Sequence, residues 1–108
     1  AKTAIDPTRI VLPNPAANKN DHIYHIYAIL AENREKLAEH LKSNGIATGM
    51  HYYLPVHLQE CYRHLGYKPG DFPVTESVES RTLSLPMYPE MKPDQIKRVV
   101  KCVKEFYA

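Results

Sequence analysis

The stretch GMHYYLPVHLQECY, Gly49 to Tyr62, gathers two histidines, three tyrosines, a proline and a cysteine into fourteen residues. Three chemistries deserve a test there. His57, Cys61 and His64 stand at i, i+4 and i+7, which on a helix aligns imidazole, thiol and imidazole along one face, with His51 a few residues upstream. That donor set suits zinc. The same Cys61 also falls on an apolar stripe with Leu58 and Leu65, where a cysteine serves as a small buried hydrophobe. Nucleophilic catalysis needs a thiolate beside an imidazole that a third group orients. Cys61 with His57 or His64 is the local pair, and no Gly-rich oxyanion turn accompanies it. A Schiff-base lysine must be desolvated to react at neutral pH. All nine lysines fall in the lead-in, in turns or on polar helix faces, so the sequence offers no catalytic lysine. The four glycines, Gly45, Gly49, Gly66 and Gly70, make no phosphate-loop spacing.

The elements that must position these residues follow from periodicity. HIYHIYAIL, His22 to Leu30, is β-branched and aromatic on both faces, which predicts a central, covered strand with His25 in mid-strand. NREKLAEHLKSNG predicts a helix over 34–44, with Asn33 as a possible N-cap and Gly45 as a left-handed C-cap. Ile46 to Tyr52 reads as a second strand stopped by Pro55, and His57 to Gly66 as a short helix. A further short helix, opened by Thr75 or Pro73 and running to about Arg81, leads into a third strand, TLSLP, that Pro86 ends. Pro93 then opens an amphipathic helix whose stripe is Ile96, Val99, Val100, Val103 and Phe106 or Tyr107. The sum is an α+β unit: a two-layer sandwich of a small, mainly antiparallel sheet of about three strands with helices packed on one face. Residues 1–21, rich in Pro, Asn and Ala, read as a lead-in without a core element; the domain proper is 22–108.

A chain of 108 residues is the size of one domain, able to bury roughly two-thirds of its unfolded surface. Fourteen basic against twelve acidic residues give +2, too little to call for a nucleic-acid or membrane partner. Lys97, Arg98, Lys101 and Lys104 are diluted by Glu90, Asp94 and Glu105 and read as a solvated face. Two cysteines without a secreted framework point to free thiols in the cytoplasm. No apolar leader and no run of about 18 apolar residues occurs, which argues against a signal peptide or a membrane span. A start at Ala1 fits a fragment, a processed chain or simple Met removal.

Taken in order, YHIYAI, NGIATGMHYYLPVHLQECYRHLGY, GDFPVTE and LSLPMYPEM followed by IKRVV resemble the C-terminal small domain of the DegT/DnrJ/StrS sugar aminotransferases, over about residues 22–107. His51, Tyr52, Pro55, His57 and Tyr62 match that family's pattern position for position, as do His25 in the first strand, Phe72 to Glu76 and Leu83 to Pro89. Leu30 departs from it, since many members carry Arg there. The resemblance implies a fold-type-I, pyridoxal phosphate (PLP) enzyme that moves an amino group, from glutamate, to a keto sugar on a nucleotide. It also implies a homodimer, and a large domain holding the cofactor lysine, the carboxylate on the pyridinium nitrogen and most phosphate contacts; this chain would hold none of them and would be inactive alone. Pro55 breaks the strand after His51 and Tyr52, so these and His57 are expected at a strand end facing the neighbouring domain, lining the substrate side of a cleft. His25 joins that set by the resemblance. Two alternatives stay open: the His51 and Tyr52 polar groups serve only the Pro55 turn, or the module binds a small ligand or zinc without catalysis.

Overall fold

The computed structural model describes residues 6–108; the first five residues of the expected lead-in lie outside them. Three strands form an antiparallel sheet in the order β1 (Ile10–Val11), β2 (Tyr27–Ala31), β3 (Thr82–Leu85). Helices α1 (Arg34–Ser43) and α3 (Pro93–Tyr107) pack together on one face, while the short α2 (Pro73–Glu79) precedes β3. β2 is central, as its composition predicts. Ile29 and Ala31 point from it into a core with Leu37, Leu41, Leu83, Val99 and Val103. Burying one such side chain is worth about 1.5–3 kcal/mol.

The third strand, however, comes from the lead-in. Ile10 pairs with Ala31 and is buried, so residues 1–21 do contribute a core element. The expected strand over 46–52 is reduced to one bridge, Gly49 to Ser84, flanking β3. Nor does β2 begin at His22. Leu85 pairs with Tyr27, and Pro86, which has no N–H to donate, ends the ladder there. Upstream, Tyr24 is left-handed at φ 50 and its N–H donates to His22 Nδ1, so the chain turns instead of extending. His25 is consequently exposed ahead of the strand rather than seated within it.

The helix ends bear the sequence signals unevenly. Gly45, at φ 73, closes α1 with Ile46 N–H donating to the Leu41 carbonyl, the expected left-handed cap. Asn33 is itself left-handed, φ 54, and its side chain caps nothing. On α3 the buried stripe is Val99, Cys102, Val103 and Tyr107, whereas Ile96 and Val100 stay exposed. The far end of α3 is tied down: the Tyr107 hydroxyl donates to the Glu32 carbonyl at 2.7 Å, and Arg9 donates to the Tyr107 carbonyl at 3.1 Å with its guanidinium over the Tyr107 ring. Burial pushes the Tyr107 phenol above its usual range.

The segment 57–66 is not one α-helix. It forms two 3-10 turns, Val56–Leu58 and Glu60–Leu65, separated by extended Gln59. With three residues per turn, positions four and seven apart no longer share a face. Cys61 and Leu65 are exposed, so neither the metal face nor the buried stripe expected of them exists.

Candidate functional site

Strand alternation decides which face the site occupies. Leu83 points into the core, so its neighbours Thr82 and Ser84 point the other way. Ser84 Oγ lies 2.9 Å from His51 Nδ1. Gly49 makes this reach possible: a Cβ there would stand 2.8 Å from His51 Cε1, so any larger residue would push the ring off β3. Tyr52 meets the imidazole edge-on, centroids 5.8 Å apart, and is 74% exposed. Both border a hollow of ≈ 340 Å³ that includes Thr82. One wall is Leu54, Pro55 and Val56; the other is the α2 face of Val74, Thr75, Val78 and Glu79.

Behind these walls sits a second histidine. His57 does not line the hollow; its side chain is 8% exposed and its Nε2 lies 3.0 Å from Glu76 Oε1. Phe72 and Tyr67 pack on the ring with centroids at 4.8 and 6.5 Å. The Glu76 carboxylate also accepts the Gly70 N–H, 2.9 Å from each oxygen, and the Phe72 N–H at 3.3 Å. Gly70 can offer its amide there because its backbone is left-handed, φ 97. These donors, the Gly70 amide foremost and then His57 and the Phe72 amide, hold Glu76 below the usual carboxylate range.

The α2 wall is anchored from α1. Arg34 is buried, donates to Glu35 at 2.9 Å and to the Glu79 carboxylate at 3.0 Å, and also donates to the Glu79 and Thr82 carbonyls. Burial alone would lower the Arg34 pKa; the bonds to Glu35 and Glu79 outweigh it and raise it. The Tyr53 ring covers the guanidinium at 5.7 Å.

Of the residues expected from sequence, His51 and Tyr52 come together at the hollow, His57 stands behind one wall, and His25 is apart from it. Among the described residues no three His, Cys, Asp or Glu side chains are placed to hold a metal ion. His64 Nδ1 instead lies 3.1 Å from the Cys61 carbonyl within its own turn. Sequence reasoning passed over Ser84, Glu76 and Arg34. Glu76 and Ser84 lay within segments that match the family pattern, and Glu76 is in addition an acid in the first turn of α2, where it accepts the Phe72 N–H.

The hollow thus presents apolar walls with an imidazole and a phenol at its rim, the composition of a small-molecule site. The DegT/DnrJ/EryC1/StrS aminotransferase family model matches residues 4–104. The chain belongs to that family. It is 46% identical over 86 residues to the "Pleiotropic regulatory protein" of Geobacillus stearothermophilus, covering 80% of this chain and 23% of that protein. It is 36% identical over 90 residues to the dTDP-3-amino-3,4,6-trideoxy-alpha-D-glucose transaminase of Streptomyces venezuelae, covering 83% and 24%. Among solved structures, S. venezuelae DesV in complex with a ketimine intermediate superposes with TM-score 0.84 at 35% identity, covering 92% of this chain and 26% of DesV. A family aminotransferase from Brucella abortus gives TM-score 0.79 at 35% identity over 94% and 27%. This family member therefore spans about a quarter of the length of the relatives it matches. The α+β fold expected from sequence is that of the matching quarter of these aminotransferases.

Proposed function

We propose that the chain is the C-terminal small domain of a homodimeric, PLP-dependent aminotransferase that transfers an amino group from glutamate to a keto sugar carried by a nucleotide. In this reading residues 1–21 lead into a unit spanning 22–108, and β1 crosses back to complete its sheet. The observation that carries it is the hollow on the sheet face away from α1 and α3, with His51 and Tyr52 at its rim, in a member of a sugar aminotransferase family.

Among the described side chains no lysine fits the covalent anchor of PLP. Lys36, Lys42, Lys68, Lys92, Lys97, Lys101 and Lys104 are all exposed, whereas a nucleophilic lysine is desolvated. The cofactor's anchor is assigned to a large domain outside this chain, and no step of the transfer runs through these residues. Their part is binding. The apolar walls take the less polar face of a sugar ring and exclude water, while the His51 imidazole, steadied by Ser84, and the Tyr52 hydroxyl orient ring hydroxyls. His57 supports the wall from behind. His25, exposed ahead of β2, does not border this hollow.

In the full-length enzyme, His51→Ala is expected to raise KM for the nucleotide sugar about tenfold, the loss of one or two hydrogen bonds. Tyr52→Phe should cost less, and the half-reaction with glutamate should change little. Unchanged sugar kinetics in both variants would overturn the assignment. The 108-residue chain mixed with PLP is expected to give no transamination; turnover by it alone would contradict the domain reading.

A further inference from the structure

We propose that Glu76 is a positioning residue: through His57 it sets the separation of the hollow's two walls, and with it the fit of the sugar. The inference rests on the reading of the hollow as part of the substrate cleft. His57 directly follows Val56, which ends one wall, and Glu76 lies on α2 between Thr75 and Val78 of the other. The 3.0 Å contact is therefore a strut between two walls, its ends otherwise joined along the chain by the 18 residues 58–75.

Both ends of the strut are fixed. The Gly70 and Phe72 amides hold the carboxylate, and Phe72 and Tyr67 pack on the imidazole. Neither residue needs to touch ligand to matter. Without the strut, the Val56–Leu58 turn is held to α2 only by the packing of Phe72 and Tyr67 on the His57 ring, which is non-directional and sets no fixed separation between the walls. Length is the requirement, not charge: a glutamine Oε1 in the place of Glu76 Oε1 still accepts from His57 Nε2 and from the Gly70 and Phe72 N–H groups, its NH2 giving up only the second share of the Gly70 N–H, whereas aspartate is one methylene short.

Two measurements test this. Nitroxide labels on Val56→Cys and Val74→Cys, both exposed sites, are introduced with Cys61→Ser; Cys102 is buried and stays unlabelled. A narrow inter-label distance distribution is expected with Glu76 and with Glu76→Gln, and a broad one with Glu76→Asp and Glu76→Ala. Equal widths in all four, or a broad distribution with Glu76 itself, would overturn the strut. Should Glu76→Ala fail to fold, Glu76→Asp against Glu76→Gln carries the comparison.

In the full-length enzyme, Glu76→Asp should raise KM for the nucleotide sugar about tenfold with kcat within about twofold, and Glu76→Gln should restore it. A loss in kcat alone, or no rescue by glutamine, overturns the positioning role. The two readings fail separately. If His51→Ala and Tyr52→Phe are both silent while the label distances respond to residue 76, the cleft reading falls and the ligand role of Glu76 falls with it. If His51→Ala acts and the distances ignore residue 76, only the strut is lost.

Discussion

Glu76 is a residue whose charge state folding biases through geometry that can be named bond by bond. Its carboxylate accepts two backbone N–H groups and faces His57, so the native structure favours the ionised form and lowers its pKa from the ordinary 4.5. The sign follows by linkage: the stabilisation is fully present above the unfolded value and is lost as pH falls through the lower folded one. Comparing wild type with Glu76→Gln by chemical unfolding, the stability gap is expected to be constant above about pH 5 and to shrink below 4.5. A gap that widens on acidification would contradict the hydrogen-bonding shown for this carboxylate. The exposed pairs Arg63–Glu60 and Lys97–Asp94 should contribute almost nothing by the same measurement, being solvated ion pairs at 3.7 and 3.9 Å.

At the scale of elements, what was legible in the sequence had local causes. The centrality of β2, the Gly45 cap, the Pro86 stop and the α3 amphipathy each follow from a residue's own backbone or spacing preference. The misplaced parts depended on distant partners. Ile10–Val11 is a strand because β2 offers it an edge; the apolar run Ile10-Val11-Leu12 is a strand signal, but at three residues before Pro13 it is too short to announce one alone. Likewise His57 and Glu76 stand 19 apart in sequence, and Ser84 lies 33 from His51, so neither pairing has a local period. His51 and Tyr52 were legible as polar aromatics before a proline; the walls behind them were not. Cys102 was missed as core because the apolar stripe on α3 turns toward α1 and leaves Ile96 and Val100 outside. The lead-in's structural role can be measured directly. Ile10→Ala should cost about 2–4 kcal/mol, as core truncations do, while Val11→Ala on the exposed side should cost under about 1. Equal, small effects would return Ile10 to the status of a tail.

The molecule as a whole is wider than a self-contained domain of its length. Its radius of gyration is 15.9 Å, against about 13 Å for a compact chain of this size. Two apolar hollows of ≈ 590 and ≈ 320 Å³ run together along α3, sharing Tyr27, Leu85, Val99 and Val100. A contiguous apolar surface of this kind promotes association. The isolated chain is expected to show a sedimentation coefficient that rises with concentration, and Val100→Lys to suppress the rise. A strict monomer at high concentration would contradict it.

The knot at the end of α3 has a separate consequence. Arg9, just before β1, bonds to the backbone of Tyr107, one residue from the last, so the two ends of the described sheet-and-helix unit meet. The order of elements along the chain is therefore not imposed by their arrangement in space. Joined across that short gap and opened at exposed Gly66, a circular permutant would keep the same strand neighbours, with Tyr107 running on toward Arg9 and the break falling in a turn that itself takes part in no strand pairing.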